Sequence, residues 1–218
     1  MNPGDLTEAV AAVLAAVEGA EGRLAPKKRA VIEAALLCFA ETGYAATSTR
    51  SIAHRAGVAE ATIFRHFGTK ADLLLRLVRP VAARLIQPGL VEAQEIFAET
   101  EGNLEAKIAR MMKARLAFAD RYAPLVRILL QELPVNPELH GLLQDSVIGG
   151  LVRFLDIALG EEIAQGRLRP IPAPRFLRIL ASMLIGYWIA RSMVAPGDWD
   201  DAAEIDVMAG LLARGLKP

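Results

Sequence analysis

Between Thr47 and Lys70, in the stretch TSTRSIAHRAGVAEATIFRHFGTK, hydroxyls, cations and one carboxylate recur at spacings that put them on the outside of two short helices. Thr47, Ser48 and Thr62 stand at helix starts, where a hydroxyl and unpaired backbone N–H groups suit phosphate oxygens. His66 and Lys70 flank the far end of the second helix. Arg50, Glu60, Ala61 and Arg65 look outward, toward bases or backbone. Together these types suit recognition of a patterned polyanion. They do not suit bond-making. His54, His66 and His140 are scattered without metal-ligand spacing, and Ser146, Ser182 and Ser192 lack a Gly-x-Ser-x-Gly setting. No phosphate loop or dinucleotide glycine motif is present. No catalytic residue, cofactor or metal is therefore expected.

The elements that must hold these side chains follow from apolar spacing. Two short helices, about Thr49–Ala56 and Ala59–His66, share a three- to four-residue turn containing Gly57. Ala53 is small enough for a close crossing, and Ile52, Val58, Ile63 and Phe67 supply the contacts that set its angle. This is the physics of a helix-turn-helix, whose second helix fits a major groove about 12 Å wide. Before it, Ile32, Ala35, Leu36 and Phe39 form one stripe of a helix from Lys28 to Thr42, with Gly43 as its stop. Thr47 or Ser48 caps the next helix. After it, Thr69 caps a fourth helix that Pro80 should kink or end.

Outside this region the chain again reads as helix. A segment at 5–18 places Leu6, Val10, Val13, Leu14 and Val17 on one side, with Asp5 and Glu8 as a capping box, and it should pack that face on the rest of the protein. Further helices are expected at about 91–99, 104–121, 124–133, 137–164, 174–194 and 201–215, with Asn136-Pro137 opening one of them. Strand patterns are absent.

Net charge is +0 over 218 residues, which excludes a generally basic coat for nucleic acid. The charge is unevenly placed. Pro26 to Arg79 holds nine basic and four acidic residues, among them Lys27, Lys28, Arg55, Arg76 and Arg79; the remainder holds 16 and 21. Such asymmetry points toward nucleic acid. The single cysteine, Cys38, excludes a disulfide framework. No secretory signal is visible, and the longest uncharged hydrophobic run, Ile179–Ala190, falls short of the about 20 residues of a membrane span. A cytoplasmic protein with no membrane partner is expected.

Residues 28–75 resemble the tetracycline-repressor (TetR) family of bacterial transcription regulators. The matching pattern is Phe39-x3-Gly43-Tyr44-x2-Thr47-Ser48, then Ile52-Ala53-x3-Gly57-Val58, then Thr62-Ile63-Phe64-x-His66-Phe67-x-x-Lys70. The resemblance implies an all-α fold. A three-helix helix-turn-helix DNA-binding domain at 26–70, preceded here by an extension helix at 1–25, would be followed by a larger helical ligand-binding and dimerisation domain at 71–218. It also implies a homodimer on a double-stranded DNA operator, most often a repressor released by a small-molecule effector. Carried over by position, Tyr44, Thr47, Ser48, Thr62, His66 and Lys70 would grip phosphates, and Arg50, Glu60, Ala61 and Arg65 would lie nearest the bases. Two positions depart from the pattern. Phe64 replaces the usual tyrosine and removes a hydroxyl. Glu60 places an acid on the reading helix, where it can accept from cytosine N4 or simply disfavour non-specific binding.

In the C-terminal half, Met111, Met112, Phe118, Leu129, Phe154, Met183, Tyr187 and Trp188 make an apolar set that fits either core or a cavity wall. Arg115, Arg127 and Arg153 interrupt apolar helices and would need partners if buried. Effector contact is expected from Met112, Arg115, Phe118, Leu129, Arg153, Phe154, Tyr187 and Trp188. The last two helices, with Ala181, Gly186, Ala190 and Gly210 allowing close approach, are expected to dimerise. A helical protein-interaction module and a helical enzyme with an accessory helix-turn-helix are the alternatives.

Overall fold

A computed structural model describes the backbone of residues 3–98, 103–144 and 148–218, and the side chains of all of these except 3–5, 86–90, 92–94 and 97–98. The expected Asp5–Glu8 cap lies outside the described side chains. Among the described residues there are eleven α-helices and no strand. They group into two compact units: residues 1–85 with 120–146, and residues 86–119 with 147–218.

In the first unit, α1 (Pro3–Glu21) buries Val10, Val13, Leu14 and Val17 and rests on α2 (Pro26–Thr42) and α7 (Ala123–Glu132). This is the packing expected of its Val/Leu face. Its last turns add charge. Glu18 pairs with Arg29 at 3.2 Å, and Glu21 takes a two-pronged contact from Arg76. Pro26 occupies the first turn of α2, where its missing N–H costs nothing. Val31, Ile32, Ala35, Leu36 and Phe39 form the buried stripe of α2. Gly43, at φ 82°, ends the helix by donating its N–H to the Phe39 carbonyl.

Beyond it lie α3 (Thr49–Arg55), α4 (Glu60–Phe67) and α5 (Lys70–Ala98). Ser48 and Ser51 form a reciprocal capping box at the start of α3. Thr69 and Asp72 do the same for α5: the Thr69 N–H donates to Asp72 Oδ2 at 2.8 Å, and the Asp72 N–H to Thr69 Oγ1 at 3.1 Å. α5 runs through Pro80, so of the kink or end expected there the end is not found, and the separate helix expected near 91–99 is part of the same 29-residue element. Leu77, Val78, Val81 and Ala82 are buried on both sides of the proline. Their packing outweighs the roughly 3 kcal/mol that an interior proline costs. Asn136 caps α8 (Pro137–Leu143) by accepting from the N–H groups of Glu138 and Leu139.

Over 137–164 the described residues form α8 and α9 (Gly149–Ala164), with Gln144 and Ile148 π-helical; residues 145–147 between them lie outside the described residues.

In the second unit, α6 (Leu104–Arg121, through Ala119), α9, α10 (Ala173–Ile189) and α11 (Asp201–Gly215) bury Ile108, Met112, Leu155, Leu159, Phe176, Trp188, Ile205 and Ala209. Lys107 and Glu162 form a buried ion pair at 3.2 Å, and Arg167 Nε adds a 2.6 Å bond to the same carboxylate. These donors, Arg167 first, hold the Glu162 carboxyl below its ordinary value. A π-helical turn, Ala190–Val194, extends α10. There Tyr187 donates to Asp201 at 2.5 Å, Arg191 pairs with the same carboxylate at 3.1 Å, and Trp199 packs edge-on against Tyr187.

Candidate nucleic-acid interface

The crossing of α3 and α4 is built as the sequence spacing required. Ile52, Ala53, Ile63 and Phe67 are buried between the helices. Gly57 turns the chain at φ 65°, a left-handed conformation that costs any other residue roughly 1–2 kcal/mol. The Val58 N–H then returns to the Ala53 carbonyl at 3.0 Å. With that face buried, α4 leaves its other face outside. Ala61 and Arg65 are exposed and Glu60, Thr62 and His66 are half-buried, while Phe64 keeps 54% of its surface accessible. Arg50, on α3, is also exposed.

The expected phosphate-gripping residues divide into two groups. Ser48 is exposed, and Thr62 and His66 are half-exposed. Tyr44, Thr47 and Lys70 come together as a knot beneath the loop before α3. Thr47 is only 3% exposed, and its hydroxyl donates to the Gly43 carbonyl at 2.7 Å and shares a hydrogen with Thr42 Oγ1 at 2.8 Å. Lys70 Nζ donates to the carbonyls of Tyr44 and Thr47, both at 2.8 Å, and sits 4.3 Å from the Tyr44 ring centroid. Tyr44 packs on Phe39, with ring centroids 5.1 Å apart, and burial pushes its phenol above the ordinary value. Arg55 is engaged by a two-pronged contact with Glu41 at 2.5 and 2.8 Å, which lowers the Glu41 carboxyl and raises the guanidinium.

Sequence reasoning tallied Lys27 and Lys28 as charge but gave them no role. The structure sets both near His66. Desolvation comes first in holding that imidazole below its ordinary value, followed by the fields of Arg65, Lys28, Arg76 and Lys27. Arg65, Lys27 and Lys28 add positive field near His66 on a neutral chain, beside an Arg76 already engaged by Glu21. The signal available in the sequence was the pair's place directly after Pro26, at the start of α2. Arg76 also donates to the His66 carbonyl at 3.1 Å, tying α5 to the C-terminal end of α4.

The residues expected at an effector site differ in burial. Met112, Tyr187 and Trp188 are buried, Arg115, Phe118 and Phe154 half-buried, and Arg153 exposed. Leu129 belongs to the other compact unit. A cleft of about 540 Å³ in the second unit is lined by none of these eight but by Arg169, Ile171, Arg175, Ile179, Met183, Leu211 and neighbours on α10 and α11.

An outward-facing short helix on a glycine turn, ringed by cations and helix-start hydroxyls, defines a helix-turn-helix DNA-binding protein. Comparison with known proteins agrees. Residues 31–77 match the model for bacterial regulatory proteins of the tetR family. The chain is 30% identical over 149 residues to the HTH-type transcriptional repressor AcnR of Corynebacterium diphtheriae, covering 62% of this chain and 78% of that protein. It is 28% identical over 145 residues to the fatty acid metabolism regulator protein of Bacillus subtilis, covering 66% and 72%. In fold it is similar to the transcriptional regulator FadR from Bacillus subtilis in complex with stearoyl-CoA, with a TM-score of 0.67, 22% identity, and 87% and 99% of the two chains covered. The chain belongs to the tetR family and is a DNA-binding transcriptional regulator.

Proposed function

We propose that the chain acts as a homodimeric cytoplasmic repressor, released from a double-stranded operator by a small-molecule effector. The observation that carries its DNA half is the uncovered leading turn of α4, where Glu60, Ala61 and Thr62 are not buried by the rest of the chain. Residues 26–70 form the DNA-binding part, 1–25 the brace beside it, and 71–218 the part for effector and partner subunit. Ser48, Thr62 and His66 meet phosphates directly. Tyr44, Thr47 and Lys70 act on the same contacts by holding the loop that presents Ser48. Arg50, Glu60, Ala61 and Arg65 face the bases. No catalytic role is assigned to a chain whose family consists of regulators.

The dimer reading rests on apolar surface left outside. Ile185 is 45% exposed, Val207 58% and Leu211 57%, all on α10 and α11. The window of Ala173–Val194 with mean hydropathy 1.3 is only 17% buried within the chain. Its uncharged core is twelve residues long, too short to cross a bilayer, so a second subunit is the fitting cover. Gly186 has open space where a side chain would begin, as a close helix approach requires, whereas Gly210 faces Glu105 and Arg214 of its own chain. Paired α4 helices then lie about 34–36 Å apart, one turn of DNA.

Support for an effector comes from the family, FadR having been solved with stearoyl-CoA, and from Met112, Arg115, Phe118, Arg153, Phe154, Tyr187 and Trp188 in one unit. Because α5 supplies residues to both units, it is the transmitter, with Arg76 its contact to α4 and Pro80 its flexing point. Release amounts to the effector's differential affinity for the two states. Light scattering at micromolar concentration checks the assembly. The wild type is expected as a dimer, and Val207→Glu with Leu211→Glu as a folded monomer that no longer holds DNA. A monomeric wild type overturns the dimer reading.

A further inference from the structure

We propose that α4 selects a cytosine through Glu60 and a thymine methyl through Phe64, and that Thr49 is the positioning residue that aims the Glu60 carboxylate. The inference rests on α4 as the DNA-reading helix and adds the base chemistry it selects.

Thr49 opens α3 and Glu60 opens α4, and Thr49 Oγ1 donates to Glu60 Oε1 at 2.6 Å. The bond spans the two helices of the motif. It holds one carboxylate oxygen of a half-exposed side chain and leaves the other to accept. An ionised carboxylate has no proton to donate. In the major groove guanine offers it only acceptors, and thymine an acceptor beside a methyl. Adenine offers a donor at N6 but an acceptor at N7 next to it, which repels the second oxygen. Cytosine offers the N4 donor with a C–H beside it on the same base, so it alone presents a donor with no acceptor on its own edge.

Phe64 follows four residues later on the same outward face. It is an unusually large apolar group for a surface meant to meet a polyanion, and it keeps 54% of its area exposed. With no hydroxyl it can neither reach for phosphate nor hydrogen-bond a base edge. The thymine C5-methyl is the apolar feature of the groove that matches it. Four helical residues rise about 6 Å, so the two selected bases fall within about two base pairs.

Selection from random duplex DNA with the full chain tests this, followed by anisotropy on the enriched sequence. The wild type should enrich a half-site with a cytosine and a thymine at that separation. Glu60→Gln should turn the cytosine position toward adenine, which a carboxamide pairs with in two-pronged fashion. Thr49→Val should blur the cytosine position while sparing the thymine, and Thr49→Ser should restore it. Replacing the selected thymine by uracil should weaken wild-type binding roughly tenfold and leave Phe64→Ala indifferent. A sharp wild-type site that survives Glu60→Gln and Thr49→Val unchanged, or a uracil exchange without effect, overturns the proposal. If the wild type enriches nothing and binds no duplex, the DNA-reading role of α4 falls, and this proposal with it.

Discussion

Around α3 and α4 polar side chains hold one another in a relay of short bonds: Ser51 to Ser48, Thr49 to Glu60, Arg55 to Glu41, Lys70 to the Tyr44 and Thr47 carbonyls, Thr69 to Asp72. The second unit is built differently. There a buried ion pair and a tyrosine–aspartate bond stand within a largely apolar packing, and apolar surface on α10 and α11 is left outside. The contrast follows from what each region must meet. A DNA groove has fixed dimensions, so the reading helix has to be aimed. A partner subunit or an apolar effector asks for area and volume, which many side-chain sets provide.

The contrast can be broken by perturbing each side and asking whether the other responds. The largest effect is expected in the second unit. Lys107→Ala leaves the Glu162 carboxylate buried with Arg167 still bonded to it, and should cost about 3 kcal/mol by chemical denaturation, the low end for a broken buried pair. Base preference in DNA selection should not change. The wild-type pair has a matching pH signature. The Glu162 carboxyl is held below its unfolded value, so its stabilisation is present above about pH 4.5 and lost as pH falls through the folded value.

A smaller effect is expected at the turn of the reading motif. A Cβ at Gly57 would meet nothing within 4 Å, so Gly57→Ala isolates the cost of φ 65°. It should destabilise by about 1–2 kcal/mol and weaken DNA binding beyond what the unfolded fraction explains, because the turn sets the aim of α4. Equal loss of folding and binding, with no excess, would mean that the turn has no aiming role.

The smallest effect is a proton. In the free protein the His66 imidazole is held below its ordinary 6.5 by desolvation and neighbouring cations, and a phosphate against it raises that value. Binding then takes up a proton. Affinity gains below the free-protein value, and the gain disappears as pH rises through the bound-state value. Between pH 7.5 and 5.5 the wild type should tighten about three- to tenfold more than His66→Gln does. Identical profiles would remove His66 from the phosphate contacts.

What the sequence made legible follows the same division. Caps at Ser48, Asn136 and Thr69, stops at Gly43 and Gly57, and the buried stripe of α2 are local rules, and they hold. A helix end at Pro80, one of the two outcomes its local rule allows, is not found, because the packing of Leu77, Val78, Val81 and Ala82 is not local. Residue type marked Thr47 and Lys70 as polar groups of the motif but did not say that both turn toward the loop's own carbonyls. Lys27 and Lys28 were passed over because their nearness to His66 is a fact of folding, with 37 residues between Lys28 and that histidine. The residues expected to face an effector have no spacing rule at all, since apolar helices read alike whether they line a core or a cavity.

The central claim, that the open face of α4 engages duplex DNA through phosphates and bases, is tested most directly by the salt dependence of binding. Fluorescence anisotropy of the full chain on its selected duplex, between 50 and 200 mM salt, should show affinity falling by roughly 10³–10⁵, as about 6–10 phosphate contacts require. Affinity that holds level across that range would contradict the claim.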